Sequence, residues 1–342
     1  MQFTEILREI YLRPASAGTE AYSALLNPVI ALLEQEEARV RPHDRLDLAG
    51  GLLRLQPDLP TLIIPDLHAR MDFFYSIFEY EFMPGTTVAA AMQEGSIQIL
   101  CLGDGFHAEK RAFKRWQNAL REFSHGYRQH KAIDAEMRES LGLMEMVIQA
   151  KLAYPEQFHF LRGNHENILN ENADGNYAFR KFAFEGDMVR EWVRLFYGDD
   201  FLNLYARFEK CLPLFAVGKR FLASHAEPAE YYNEEDIVNF RDNPELVSGL
   251  IWTDNDAAEE DSVQIMLSRY LPDYPDSVYF GGHRTISGRF RLRAGNRFVQ
   301  IHNPDRFNAA WVMPDRAFDP TGDIGEITDA SGDLVAAWLD SD

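Results

Sequence analysis

The chain has 342 residues, of which 46% are hydrophobic, 26% charged and 13% aromatic, with a mean hydropathy of -0.32. This composition excludes disorder, collagen and a transmembrane bundle, and the length allows a substantial core. Thirty-four Lys and Arg against 54 Asp and Glu leave a formal net charge of -20, so the surface repels non-specific nucleic acid and anionic membranes, and an anionic substrate needs a site made locally positive by metal or clustered arginines.

In chain order, residues 2–41 read as two amphipathic helices broken near Pro14–Gly18, with Leu25, Val29, Leu32 and Leu33 at helical spacing. Charges run throughout the N-terminal segment, leaving no apolar region of a secretory signal, and no apolar run is long enough to span a membrane. Cys101 and Cys211 both lie in apolar stretches and read as buried thiols, not a disulfide, so a reducing cytoplasm is expected. Ala49-Gly50-Gly51 predicts a hairpin turn between the flanking apolar runs.

Five short apolar runs follow, each ending abruptly in polar residues: TLIIPDLHAR from Thr61, IQILCLGDGFH from Ile97, FHFLRGNHE from Phe158, RFLASHAEP from Arg220 and VYFGGHR from Val278. Each has the length and content of a buried strand. Helical patterns such as MDFFYSIFEYEF and FRKFAFEGDMVREWVRLFYG lie between them, which predicts an α/β chain or a four-layer α/β/β/α sandwich. Glu109–Lys151 carries nine Lys and Arg against six Asp and Glu, with apolar residues at helical spacing, and reads as a helical insertion. Residues 312–342 hold eight acids and one base and read as a peripheral tail.

The polar residues cluster at the C-terminal ends of the predicted strands, where open α/β sheets place their ligand sites. Asp66 and His68, two apart on an extended strand end, can face the same side and hold one cation. Asp104 between two glycines brings a carboxylate able to bridge two cations. Asn164 and His165 put an amide oxygen beside an imidazole, and His225 and His283 end further strands with nitrogen donors suited to Mn, Fe or Zn. A lone histidine at a strand end is usually structural. The conjunction of these residues at five successive strand ends, spaced 36, 60, 61 and 58 residues apart, is what points to a site.

The succession D-x-H, G-D, G-N-H-E, S-H and G-H resembles that of the calcineurin-like metallophosphoesterases over residues 61–313. GNHE with Trp252-Thr253-Asp254 is most similar to their phosphoprotein phosphatase branch. The resemblance implies two divalent metal ions, with Asp66, His68 and Asp104 holding one, Asp104, Asn164, His225 and His283 the other, and His165 unligated as general acid. It also implies a domain over residues 51–313, carrying the insertion at about 109–153, with an N-terminal helical segment (1–50) packed on it and an acidic tail (314–342).

The implied activity is hydrolysis of phosphate monoesters, including Ser/Thr phosphoprotein, by a metal-bridging hydroxide. A phosphodiesterase or dinucleoside polyphosphate pyrophosphatase is the alternative within the same chemistry, and a non-catalytic metal-stabilised scaffold the alternative outside it. The expected partner is a phosphorylated small molecule, nucleotide or phosphoprotein, with neither membrane nor non-specific nucleic acid. Manganese is the expected metal, iron or zinc the alternatives.

The chain departs from the family pattern in several places. Pro65 and Ala69 stand where the first motif has glycines, His107 stands where G-D-x-x-D-R-G has the aspartate that orients the general acid, and the arginine of that motif is missing. Arg111 is the expected substitute, followed by Arg70, Arg162 and Arg284.

Overall fold

A computed structural model describes residues 2–332. Strands β2 (Thr61–Ile64), β5 (Gln98–Cys101) and β6 (Phe158–Phe160) pair in parallel, and β12 (Asn308–Val312) with β13 (Ile324–Glu326) adds two antiparallel members, giving a five-stranded sheet. The second sheet has six strands in the order β1 (Leu52–Arg54), β7 (Phe215–Val217), β8 (Phe221–Ser224), β9 (Val278–Gly281), β11 (Phe298–Gln300) and β10 (Arg291–Arg293). Within it β8, β9 and β11 run parallel. A small hairpin, β3 (Glu81–Met83) with β4 (Thr86–Thr87), lies apart from both sheets.

The layering follows from the two-residue period of strands. Ile63 and Leu100 join Ala216, Ala223, Phe280 and Val299 in one apolar cluster between the sheets. Their neighbours Leu62, Ile64, Ile99 and Cys101 face the opposite way, into a cluster with the helices α1 (Phe3–Leu12), α2 (Thr19–Glu34), α3 (Met71–Glu79), α4 (Val88–Gln93), α5 (Phe113–Ser124), α6 (Lys131–Ala153), α7 (Glu185–Phe196) and α8 (Asp199–Lys210). Phe215, Leu222, Tyr279 and Phe298 face α9 (Glu234–Val238), α10 (Pro244–Ile251) and α11 (Ser262–Tyr270). Strands apolar on both faces therefore produce the α/β/β/α order expected from the sequence.

Three local expectations change. Ala49-Gly50-Gly51 does not turn a hairpin: β1 pairs in parallel with β7, far along the chain. The glycines serve close approach instead, since a Cβ would lie 2.6 Å from the Pro42 carbonyl oxygen at Gly50 and 2.5 Å from that of Ile237 at Gly51. The expected insertion is helical, but its second helix, α6, belongs to the core, with Met137, Leu141, Met144 and Ile148 fully buried, while α5 buries only Trp116 and Ala119. Within the expected tail, β13 forms the edge of the five-stranded sheet, after the short helix α12 (Pro320–Asp323), while the apolar run at 333–339 lies outside the described residues. No helix among the described residues is long and apolar enough to cross a membrane.

Candidate metal centre

The C-terminal ends of β2, β5 and β6 from one sheet and of β8, β9 and β11 from the other converge on one cluster. Asp66 is fully buried and neither of its carboxylate oxygens has a hydrogen-bond partner among the described residues. A bare buried carboxylate is costly unless something charged satisfies it. Its His68 neighbour points Nε2 inward, 3.9 Å from Asp66 Oδ2 and 3.8 Å from Asp104 Oδ2, while Nδ1 lies 3.1 Å from the His107 carbonyl oxygen. That backbone bond fixes the ring so that Nε2 is left for a ligand.

Asp104 stands at the middle. Its Oδ1 accepts the His165 amide at 3.0 Å, and its Oδ2 lies 3.2 Å from His225 Nε2 and 3.6 Å from His165 Nε2. Burial alone would raise its pKa, but the surrounding His165, His225 and His68 hold the carboxyl well below its usual range. The same pairing raises His225 to about 9 against the pull of burial. Asn164 Oδ1 lies 2.9 Å from both His225 Nε2 and His283 Nδ1. Burial, then His225, pushes His283 down to about 3 and keeps it neutral, the form in which imidazole binds metal.

Two glycines make this density feasible. A Cβ on Gly282 would fall 1.7 Å from Asp66 Oδ1, and one on Gly163 2.2 Å from Asp104 Oδ1. Backbone strain concentrates here as well: His68, Ala69, Asp104, His107 and His283 all have positive φ, at 43°, 58°, 54°, 65° and 60°. Ala69 thus adopts a conformation suited to the glycine that the family pattern has at this place. Glu166 ties the loops together, its carboxylate accepting the amides of Gly163, Gly105 and Asp104 at 2.6, 2.8 and 3.0 Å. From behind, Glu136 of α6 accepts the Ala108 amide at 2.8 Å and Ser140 the His107 amide at 3.3 Å, so the segment expected as an insertion braces the Asp104 loop.

His165 and His107 sit with their Nδ1 atoms 2.9 Å apart, and Phe179 lies 3.7 Å from the His165 ring centroid and 5.2 Å from that of His107. Burial lowers His165 well below the ordinary imidazole value and His107 to about 3. Two neutral rings sharing one Nδ1 proton is the arrangement this implies. His107 does occupy the place of the missing aspartate, but it offers a neutral partner in place of an anionic one.

Two residues escaped the sequence reading. His302, two beyond β11, is fully buried and groups with Asp66 and His68, their ligand atoms lying within 4.8 Å of one another. Its Nε2 lies 3.1 Å from Glu109 Oε2, and Glu109 Oε1 is 3.8 Å from His68 Nε2. Although burial opposes it, His68, His302 and Lys181 hold the Glu109 carboxyl far below its usual range. The signal for His302 was present, since FVQIH is a sixth apolar run ending in histidine. Nothing local marked Glu109.

The arginine expectations need correction. Arg70 is buried and donates through Nε to Leu67, through Nη1 to Asn303 and Arg306, and through Nη2 to Asp66, all backbone carbonyls, so it buttresses the turn and is closed to phosphate. Arg162 is buried and lines a different cavity, with Asp174, Lys210 and Arg241. Arg111 and Arg284 stay at the rim. Arg111 bonds Glu139 at 2.7 Å and the Ala69 carbonyl at 2.9 Å, and Arg284 lies 2.7 Å from Asp254. None of these four is therefore both unpaired and at the centre: Arg70, Arg111 and Arg284 are engaged by other groups, and Arg162 lies at the other cavity.

The residues fit divalent cations on several counts: the partnerless Asp66 oxygens, the two glycine cradles and a mixed set of carboxylate, imidazole and amide donors. Residues 59–307 match the family of calcineurin-like phosphoesterases. The chain belongs to that family, and it is a hydrolase of phosphoric ester bonds with a buried His/Asp cluster for divalent metal. Among solved structures, a protein serine/threonine phosphatase from Saccharomyces cerevisiae with similarity to human phosphatase PP5 is 15% identical, with a TM-score of 0.56 over 91% of this chain and 90% of that one. A cold-active protein-tyrosine phosphatase from a psychrophilic Shewanella species is 11% identical, with a TM-score of 0.47 over 80% of this chain and 83% of that one. No curated protein sequence matches the chain.

Proposed function

We propose that the protein is a dinuclear, metal-dependent phosphomonoesterase. The observation that carries this reading is the convergence of Asp66, His68, Asp104, Asn164, His225 and His283 around buried carboxylate oxygens that lack partners, with the His165–His107 pair beside them. Two divalent cations, manganese first among the candidates, would supply an acidified water and screen the charge of the phosphoryl oxygens. Asp66 and His68 would hold one cation, and Asn164, His225 and His283 the other. Asp104, in contact range of both groups, would be shared.

The reaction adds water to phosphorus, breaks the bond to the leaving oxygen and yields an alcohol and inorganic phosphate. His165 is assigned the proton that the leaving oxygen needs. To give up that proton His165 must be an imidazolium, donating from Nδ1 to His107 and carrying its second proton on Nε2, the nitrogen facing Asp104, and the anionic phosphoester beside it favours that charged form against the depression by burial. Phe179 covers both rings and excludes water from the pair. With cytoplasmic conditions assumed, the buried Cys101 and Cys211 stay reduced.

His165→Asn tests the assignment. With metal retained, turnover should fall by about 10²- to 10⁴-fold on an alkyl phosphate and by less on an activated aryl phosphate, whose leaving oxygen hardly needs a proton. Loss of metal would make His165 a ligand instead. Equal loss on both esters with metal retained would reduce its role to positioning, and a metal-loaded wild type inert on every ester would favour a scaffold.

A further inference from the structure

A cavity of about 710 Å³ opens beside the candidate centre, walled by Glu109, which contacts His68 and His302, by Thr285 two residues past His283 and by Pro304 two past His302. Its volume is in the ~300–1,000 Å³ range of small-molecule sites. The rest of the wall is unusual for a chain of net charge -20. Lys110, Arg111, Lys114 and Lys181 line it against the single carboxylate of Glu109.

Two of these cations are already paired, Arg111 with Glu139 at 2.7 Å and Lys181 with Glu109 at 3.2 Å. Lys110 and Lys114 are exposed and form no ion pair among the described residues. Between them in sequence, Phe113 leaves 47% of its surface exposed. Its ring meets Phe182 edge-on, with centroids 5.7 Å apart and planes at 84°, its one ring contact among the described residues, which leaves a face of Phe113 without an aromatic partner there. An exposed apolar ring flanked by free ammonium groups suits a flat ring attached to anionic groups.

We infer that this cavity is a substrate subsite for a nucleotide carrying more than one phosphate. One phosphate lies at the candidate centre, a second is met by Lys110 and Lys114, and the base stacks on Phe113. The inference rests on the phosphomonoesterase reading and names its substrate class. An extended acidic phosphopeptide shares the charge but not the need for an aromatic platform in a bounded cavity.

The test compares metal-loaded wild type, Lys110→Ala/Lys114→Ala and Phe113→Ala on phenyl phosphate, adenosine 3′,5′-bisphosphate and an acidic phosphoserine peptide. All three side chains are exposed, so folding should survive. The lysine pair should raise KM for the bisphosphate by about tenfold, an effect that shrinks as salt is added, and Phe113→Ala by about fivefold or more. Phenyl phosphate should change by less than about twofold in either variant. A parallel loss on phenyl phosphate, no loss on the bisphosphate, or a loss confined to the peptide overturns the subsite. Should the wild type turn over none of the three, the phosphoesterase reading fails by itself. Equilibrium binding of adenosine 3′,5′-bisphosphate, expected to weaken in both variants, then still decides the subsite, and unaltered binding overturns it.

Discussion

The two sides of Asp104 are built differently. On one, Asp66 keeps both oxygens without hydrogen-bond partners among the described residues and is joined by His68, His302 and Glu109, a group rich in carboxylate. On the other, the neutral amide of Asn164 already engages His225 and His283 at 2.9 Å each. A cation entering the first side relieves an unmet electrostatic demand. A cation entering the second must replace hydrogen bonds that the protein makes for itself. Two cations of unequal affinity are therefore expected, the tighter on the Asp66 side, and a dialysis series against chelator should show two steps of release.

The sharpest way to break this contrast is to remove what both sides share. Asp104→Asn should lose more bound metal than any substitution of a residue on one side, with activity on every ester lost alongside, as measured by metal analysis of the purified variant. Equal metal retention by Asp104→Asn and His68→Ala would sink the bridging assignment. His302→Gln should act on one side alone, weakening the tighter step by about 10- to 100-fold and leaving the weaker step in place. If both steps shift together, the two sides are not separable.

A third expectation lies far from the centre. His159 is buried, with its Nε2 3.2 Å from the Glu156 carbonyl oxygen, and burial, then the Lys151 ammonium, lowers its pKa to about 3. A histidine depressed on folding binds fewer protons in the native state than in the unfolded one between about pH 3 and 6.5. Its contribution is thus intact above the unfolded value and lost as pH falls through that window, at up to about 1.4 kcal/mol per pH unit. His159→Gln should flatten that slope in urea titrations between pH 6 and 4, and an unchanged slope would show that other groups carry it.

The smallest effect is expected at Arg111. With Glu139 neutralising it and the Ala69 carbonyl holding it, Arg111→Ala should weaken phosphate inhibition by less than about fivefold. Inhibition weakened much further would restore the clamp expected from the sequence.

Much of the candidate centre was legible without coordinates because the residues proposed as its ligands follow local rules. A buried strand shows itself as an apolar run, and a polar residue directly after it sits at the strand's end whichever neighbours the strand pairs with. Asp66, His68, Asp104, Asn164, His225 and His283 all obey that rule, and so does His302, which a sixth run would have revealed. Alternation of apolar residues to both faces likewise announced sheets covered on each side, hence the layered order.

What local pattern does not contain is the far partner of a side chain. Arg70 resembles a rim arginine in sequence, yet the backbone near Asn303 and Arg306, more than two hundred residues away in the chain, encloses it. Gly50 and Gly51 look like a turn until Pro42 and Ile237 are seen to press on them. Glu109 acquires its place beside His68 and His302, and α6 its buried position under the Asp104 loop, only when the sheets close together. Backbone periodicity is set by neighbours a few residues apart and is written in the chain. The partners of a long polar side chain are set by whichever distant segments packing brings within about 3 Å of it, and only the tertiary structure decides those.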